Sequence, residues 1–296
     1  MASSREMRNR IKSVRNIAQV TRALETVSAS YVRRSVNAVH ATQPYSEKAW
    51  RILLHLARQP GHGSLHPLLQ ERTKLEKVLV LMVSSDRGLA GAYNVNIVRT
   101  TLQHFRNFDY PLSYAIVGKK GREMMQRRGQ SIMALFSDLP SPASFMDVSA
   151  IGRMLVQEYL DAHVDQVYLA YTQFESMMRQ EPVIRKLLPM EVERIEEERV
   201  DRKTNSSNAV FTYEPEQTEI LDEIVPRFTA LQVYQAILSS QASEHAARMV
   251  AMRNASDNAQ ELIGALQLDY NKIRQQIITN DMLDIVGGVE ALAASR

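Results

Sequence analysis

The chain lacks several features that would assign it to common protein classes. Its 296 residues include no cysteine, which excludes disulfide bonds, thiolate nucleophiles and zinc or iron–sulfur sites ligated by cysteine. The N-terminal stretch MASSREMRNRIKSVRN has no apolar core, so it is not expected to be a secretory signal. No uncharged apolar run reaches the roughly 20 residues that span a bilayer. We therefore expect a protein that is soluble, or peripheral to a membrane through its partners.

Proline and glycine are scarce at both ends of the chain. No proline lies in residues 1–43 or 227–296, and the first glycine is Gly61. Between Gly152 and Gly287 the only glycine is Gly264. Proline and glycine are the residues that most damage a helix interior. The sequence therefore predicts long helices at both ends, flanking a globular middle that holds most of the helix breakers.

The C-terminal end has a regular period. Apolar, small or hydrogen-bonding residues follow one another at alternating steps of three and four: Phe228, Leu231, Gln235, Leu238, Ala242, His245, Met249, Met252, Ser256, Ala259, Ile263, Leu266, Tyr270, Ile273 and Ile277. Such spacing predicts a coiled-coil seam. We expect a helix from about residue 219 to 285, roughly 100 Å long at 1.5 Å per residue, with a stop at Gly287-Gly288.

A second apolar stripe runs along the N-terminal end and predicts a helix to about Arg58 with a disturbance at Pro44. Its members are Met7, Ile11, Val14, Ile17, Val20, Leu24, Val27 and Tyr31. An apolar stripe of this length must be buried against another element. The simplest partner is the C-terminal helix, packed antiparallel. A helical bundle is the alternative, but the middle of the chain supplies no further helices of comparable length.

The middle of the chain alternates between strand and helix patterns. Strands are predicted at 77–85, 112–118 and 166–174, with a further candidate at 182–190, and helices at 92–105, 119–129 and 147–163. Alternation of this kind indicates a mostly parallel sheet covered on both faces. We therefore predict an α/β fold with four parts: an N-terminal coiled-coil helix (1–58), a small doubly-wound, Rossmann-like domain (75–190), an acidic and polar connecting segment (191–216), and a long C-terminal coiled-coil helix (217–296).

The stretch VLVLMVSSDRGLAGAYN, residues 79–95, resembles the strand, glycine turn and helix that hold phosphate in many nucleotide-binding proteins. Gly88 and Gly91 complete neither the dinucleotide fingerprint nor the phosphate loop, and no lysine follows them. His62 and His66 lie in a predicted loop, and His245 lies on the seam. No arrangement of residues indicates catalysis, and no cofactor or metal site is predicted. A nucleotide-dependent enzyme stays open as an alternative, motivated only by the α/β middle.

Charge is unevenly distributed along the chain. Residues 1–58 carry eleven Lys and Arg against three Asp and Glu, whereas residues 219–296 carry six against ten. A basic helix can bind nucleic acid or an acidic protein surface. The basic residues near the N-terminus lack interleaved aromatic side chains, which disfavours single-stranded nucleic acid.

Several stretches together resemble one family. MRNRIKSVRNIAQVTRALETVSASYVRRS, VSSDRGLAGAYNVNI, LLPM, YEPE and ASEHAARMVAMRNASDNAQELIGALQLDYNKIRQQIITNDMLDIVGG are similar, in this order, to the gamma subunit of F-type ATP synthases. The resemblance covers the whole chain, and its C-terminal stretch is the most specific part. Departures are small: Leu24 stands where many members have Met, Ala90 replaces a common Cys, and ITND replaces a common ITQE.

The resemblance implies a bacterial-type rotor shaft that catalyses nothing and holds no cofactor. It implies contacts with three alpha and three beta subunits, with an epsilon subunit and with a ring of c subunits in the membrane. It also implies a peripheral location on the cytoplasmic face of the bacterial inner membrane, without direct contact with lipid, and no nucleic acid partner. Contacts with alpha and beta are expected at Thr21, Arg22, Leu24, Asp86, Arg87, Arg274, Gln275 and Thr279, and contacts with the c-ring at Tyr213 and Glu214.

Overall fold

A computed structural model describes residues 4–57, 66–72, 74–190 and 217–294. The helices in these ranges are α1 (Ser4–Ala57), α2 (Tyr93–His104), α3 (Lys119–Gln126), α4 (Phe145–Leu160) and α5 (Gln217–Ala294), with a 3₁₀ turn at Pro67–Leu69. The strands are β1 (Val78–Val83), β2 (Leu112–Val117), β3 (Ile132–Phe136), β4 (Gln166–Phe174) and β5 (Gln180–Leu188). The chain divides into two compact units. Ser28–Arg248 forms the globular unit, and Met1–Val27 with Met249–Arg296 forms the terminal unit.

The globular unit is built on one sheet with the strand order β3-β2-β1-β4-β5. The first four strands of the chain run parallel, and β5 pairs antiparallel with β4. The predicted doubly-wound sheet is confirmed. The sequence reading missed β3, whose five residues form a partly exposed edge, so they lack the continuous apolar character of the fully buried β1.

Helices cover both faces of the sheet. On one face, α2 and α3 contribute Ile97, Val98 and Met125 to a buried cluster with β1 and β2. On the other face, α4 and the first part of α5 pack together on the sheet. These two helices are close, because a Cβ added at Gly152 of α4 would lie 2.7 Å from Cβ of Ala230. The absence of a side chain at residue 152 therefore permits this contact.

Helix α1 continues through Pro44 and lies antiparallel to α5 within each unit. In the terminal unit, Arg8 Nη2 donates to Tyr270 Oη at 2.8 Å and Arg253 Nε donates to Glu25 Oε1 at 2.8 Å. In the globular unit, the Tyr31 ring stacks on His245, and Ser46 Oγ donates to Gln235 Oε1 at 3.3 Å. In both units, residues later in α1 contact residues earlier in α5, which confirms the predicted antiparallel coiled coil.

The predicted seam of α5 is buried or half-buried from Phe228 to Ile273, but its last member, Ile277, is 43% exposed. The predicted stripe of α1 is also wrong in part. Ile17, Val20 and Val27 are 53%, 59% and 52% exposed. The buried side of α1 follows the 3–4 spacing through the apolar Met7, Ile11 and Val32 and through hydroxyl residues. A search for apolar residues passes over the hydroxyl positions, which are Thr21, Ser28, Ser35 and Ser46. Thr21 Oγ1 donates to the carbonyls of Ile17 and Ala18, so its hydroxyl is buried with its hydrogen bond satisfied.

The predicted stop of the C-terminal helix at Gly287-Gly288 is also wrong, because α5 continues to Ala294. A glycine ends a helix when it adopts a left-handed backbone, and Gly287 instead lies inside the helix. In the described part of the chain, none of the helices is apolar enough over a sufficient length to cross a membrane.

Candidate partner-binding surfaces

The turn after β1 is held in a defined shape by its own side chains. Asp86 accepts hydrogen bonds from the backbone N–H of Lys119 at 3.0 Å and of Asp138 at 2.8 Å. Its carboxylate therefore joins the loops that follow β1, β2 and β3. Ser85 Oγ donates to the carbonyl of Arg87 at 2.6 Å and fixes the next peptide. Asp86 is thus a positioning group, and its carboxylate is already occupied within the chain.

The N-terminus of α3, a position that holds phosphate in many α/β proteins, is filled by the chain itself. The N–H groups of Lys119, Lys120 and Gly121 donate to the Asp86 carboxylate, the Ser85 carbonyl and Ser84 Oγ. A carboxylate is the anion that the partial positive charge of a helix N-terminus favours. Asp86 therefore takes the place that a phosphate group would need.

The crevice between β1 and β4 is also occupied. In doubly-wound sheets, ligands bind at the carboxyl ends of the strands where the strand order reverses, which is here between β1 and β4. Helix α5 lies in this crevice. Tyr93 Oη and Ser240 Oγ are 2.7 Å apart, and Ser243 Oγ donates to the carbonyl of Thr172 at 3.2 Å. Burial raises the pKa of Tyr93, so its hydroxyl stays protonated.

A buried polar group of α5 lies beside the turn. Arg248 Nη2 donates to Glu244 Oε1 at 2.6 Å, and Arg248 Nε donates to the carbonyl of Gly88 at 3.3 Å. Burial raises the pKa of Glu244, although the adjacent Arg248 opposes this shift. Burial and the positive charges of Arg248 and Arg87 lower the pKa of His245 to about 4, so this ring is neutral near pH 7.

The exposed side chains of the turn are those of Arg87 and Leu89. The Arg87 side chain is exposed, and Leu89 is 65% exposed with a φ of 63°. A left-handed backbone at a leucine is strained and needs support from its surroundings. Here the bonds of Ser85, Asp86 and Arg248 supply that support. The turn therefore presents an apolar and a basic side chain in a fixed arrangement.

The structure separates the three residues expected to contact partners on α1. Thr21 is 9% exposed and faces the seam, whereas Arg22 is exposed and Leu24 is half-buried. Beside Arg22 lie the exposed Ile17, Val20 and Val27, which share a helix face with Leu24 because their spacings are three, four and three. We call these four apolar residues the outer stripe of α1. The sequence reading had placed them in the seam.

The last three expected contacts on α5 lie in a stretch that is exposed on every side. Every described side chain from residue 274 to 287 is exposed, including Arg274, Gln275 and Thr279. The same stretch carries Ile277, which the sequence reading had placed in the seam, and large apolar side chains that it did not single out: Ile278, Met282, Leu283, Ile285 and Val286. Contiguous exposed apolar surface of this kind marks an interaction site. Tyr213 and Glu214 lie outside the described residues.

Comparison with known proteins decides which family this arrangement belongs to. A family model described as ATP synthase matches residues 3–292. The chain is 44% identical to the ATP synthase gamma chain of Dehalococcoides mccartyi strain CBDB1 over 295 residues, with 99% of this chain and 100% of the relative covered. The chain belongs to the ATP synthase gamma chain family. The gamma chain of Legionella pneumophila strain Corby is 36% identical over the same shares of both chains.

Solved structures of this family's assemblies have the same fold. A chain of the Euglena gracilis mitochondrial ATP synthase, described as OSCP/F1/c-ring in rotational state 3, matches with a TM-score of 0.69 at 20% identity. The match covers 99% of this chain and 95% of that chain. A chain of the central stalk and c-ring of the Tetrahymena thermophila enzyme matches with a TM-score of 0.59 at 25% identity, covering 80% and 99%.

Proposed function

We propose that this chain is the rotor subunit of the central stalk of a proton-translocating F-type ATP synthase. In this role it couples rotation of the c-ring to the conformational cycle of the catalytic beta subunits, and it catalyses no reaction itself. Its partners are three alpha and three beta subunits, an epsilon subunit and the c-ring. It lies peripherally at the cytoplasmic face of the bacterial inner membrane and reaches the membrane through the c-ring.

The exposed end of α5 carries this proposal. From Ile277 to Val286 the helix exposes large apolar side chains over about 240° of its circumference at 100° per residue, with Met282, Leu283 and Ile285 each more than 60% exposed. A helix covered on one side carries an apolar stripe of roughly 100°, so a cover on one side alone does not account for an apolar surface this wide, although Gln276, Asn280 and Asp284 line a narrower polar side. A ring of subunits that surrounds the helix does account for it, and the solved structures that match include F1 and c-ring assemblies.

Each set of expected contact residues has a distinct part in this proposal. Arg22 and Leu24, together with the outer stripe of α1, bear on the alpha and beta subunits, while Thr21 secures the seam beneath them. Arg87 and Leu89 form a second bearing point, which Asp86 holds in place. Arg274, Gln275 and Thr279 supply polar contacts within the apolar end of α5. Tyr213 and Glu214 contact the c-ring.

That the chain catalyses no reaction is supported by its own residues, which occupy the positions where other α/β proteins bind a ligand. Asp86 and α5 occupy the two places where an α/β sheet of this topology would hold a nucleotide. Among the described residues, no group of three or more His, Asp or Glu side chains is arranged to hold a metal ion. Titration calorimetry with ATP and with NAD on the isolated chain should therefore show no binding, and tight binding of either would favour an enzyme.

The decisive experiment is assembly. The chain is mixed with the alpha and beta subunits of the same organism, and the product is analysed by native mass spectrometry. We expect a complex of three alpha, three beta and one copy of this chain, with ATPase activity that depends on the chain. If alpha and beta form an active hexamer that never takes up this chain, the proposal is wrong.

A further inference from the structure

One segment of α5, residues 239–248, binds the α/β domain through side chains rather than through packing alone. Phe174 N–H donates to Ser239 Oγ at 2.9 Å, and Thr172 N–H donates to Ser240 Oγ at 3.4 Å. Ser243 Oγ donates back to the carbonyl of Thr172. Three serines therefore bind the end of β4, next to the centre of the sheet.

Gln241 binds a different loop. Its Nε2 donates to the carbonyl of Pro140 at 2.8 Å, and its Oε1 accepts from the N–H of Ala143 at 3.1 Å. This amide therefore bridges the loop between β3 and α4 with both of its polar atoms. His245 Nε2 lies 2.8 Å from Ser141 Oγ in the same loop. Because Arg248 donates to Nδ1 of His245, Nε2 carries the ring proton and donates to Ser141.

Arg248 completes the set by binding the turn after β1 at the carbonyl of Gly88. At about 100° per residue, Ser239, Ser240, Gln241 and Arg248 leave the helix in directions that span about 200° of its circumference. The turn after β1, the loop after β3 and the end of β4 thus hold α5 from several sides within about three turns of the helix.

We infer that residues 239–248 form a torque-bearing joint, which prevents α5 from turning about its own axis relative to the α/β domain. This inference rests on the proposed rotor function. Apolar burial is non-directional, whereas a hydrogen bond weakens steeply as its angle departs from linearity. Rotation of α5 within the globular unit would therefore distort the bonds of Ser239, Ser240, Gln241 and Arg248 together. Apolar packing between α4 and α5 sets their distance, and the polar joint sets their angle.

The test uses the complete ATP synthase reconstituted in vesicles, in which ATP hydrolysis drives proton uptake. The main variant is Ser240→Ala with Gln241→Leu, which removes hydrogen bonds on two sides of α5 while keeping side-chain volume close to the original. Gln241→Leu alone is the second variant, and because residue 241 is half-buried and only one residue changes, we expect a smaller cost to folding than in the double variant. Gln103→Ala, at an exposed glutamine of α2 outside the joint, is the matched control.

The quantity to compare is the number of protons taken up per ATP hydrolysed, measured against increasing opposing proton gradients. We expect ATPase rates within about twofold of the unmodified enzyme and a proton yield that falls by about threefold in the double variant at the steepest gradient. Without a gradient the loss should be small, because little torque then passes through the joint. The control variant should match the unmodified enzyme at every gradient.

A purely structural role would lower assembly or thermal stability and leave the proton yield per assembled enzyme independent of the gradient. A proton yield that does not depend on the gradient in the double variant overturns the inference. If the double variant does not assemble, a gradient-independent proton yield in Gln241→Leu overturns it instead. Failure of the proposed function is distinguishable, since the unmodified chain would then support no ATP-driven proton uptake in the same vesicles.

Discussion

Two parts of helix α5 have comparable apolar content and opposite surroundings. Between residues 224 and 248, Arg227 is the only exposed side chain, and the helix is covered by α1, α4 and the sheet loops. Between residues 274 and 287, every described side chain is exposed, and Ile285 reaches 68%. An apolar residue in a helix that the chain itself covers is explained by packing within that chain. An apolar residue on a helix that the chain leaves exposed indicates that a partner protein binds there.

The largest expected effect comes from breaking α5 between these two parts. Leu266→Pro removes a helix hydrogen bond and introduces a clash, which costs about 3 kcal/mol or more in a helix interior. We expect ATP-driven proton uptake by the complete enzyme to be lost. Leu266→Ala, which keeps the helix, is the control and should retain most of it. Unchanged ATP synthesis with proline at position 266 would contradict the role assigned to α5.

The second prediction concerns pH and belongs to the covered part. The pKa of His245 is about 4 in the fold against 6.5 for an exposed histidine, so the unfolded chain binds the proton more tightly. The free energy of unfolding should therefore fall as the pH falls from about 6.5 to about 4, by about 3 kcal/mol from this residue.

His245→Gln can keep hydrogen bonds to Ser141 and Arg248 but cannot titrate. Urea unfolding of the isolated chain at pH 7 and pH 4.5 should show a smaller loss of stability in this variant than in the original chain. If both chains lose the same amount, protonation of His245 is not the cause.

The third prediction separates two neighbours in the turn after β1. Asp86→Ala leaves the N–H groups of Lys119 and Asp138 without their acceptor and should destabilise the isolated chain by about 1 kcal/mol. Arg87→Ala should change stability by less than about 0.5 kcal/mol, because the side chain is exposed. Only in the assembled complex should Arg87→Ala lower the ATPase rate. If Asp86→Ala and Arg87→Ala have equal effects on thermal unfolding, the assignment of a supporting role to Asp86 and a partner-contact role to Arg87 is wrong.

The smallest effect on the isolated chain is expected on the outer stripe of α1. Val20→Ala should leave the unfolding free energy within about 0.5 kcal/mol, since this side chain is 59% exposed. Ile11→Ala, in the seam at 7% exposure, should cost about 2 kcal/mol. When binding to the alpha and beta subunits is measured, Val20→Ala should have the larger effect and Ile11→Ala the smaller one. A large loss of stability from Val20→Ala would place the stripe in the seam after all.

Much of this contrast could be predicted from the sequence, because the covered elements have strong patterns. The run from Val78 to Val83 is apolar throughout, and the C-terminal seam repeats over many turns. These patterns were sufficient for four of the five strands, for most of α5 and for the antiparallel pairing. They were insufficient where a buried position is polar: Thr21, Ser28 and Ser35 lie in the seam of α1, and a hydroxyl side chain gives no apolar signal even where, as at Thr21, it bonds its own helix backbone.

The candidate surfaces were harder to predict for a related reason. Sequence alone does not distinguish an apolar residue that its own chain covers from one that it leaves exposed, so Ile17 and Val20 were assigned to the wrong side of α1. Asp86 was expected to contact a partner, and its bonds to two distant backbone N–H groups become visible only when three loops meet. The joint at residues 239–248 depends on a strand end and loops that lie 65 to 160 residues away in the sequence, which no local pattern indicates.

The central claim, that partner subunits surround the end of α5, can be tested by labelling because the chain has no cysteine of its own. Single cysteines are introduced as Met282→Cys, Ile285→Cys and, as an exposed control on α2, Gln103→Cys. Maleimide labelling rates are then compared between the isolated chain and its complex with alpha and beta. We expect residues 282 and 285 to label at least about tenfold more slowly in the complex, while residue 103 labels equally in both. Equal labelling of residues 282 and 285 in the two states would contradict the account.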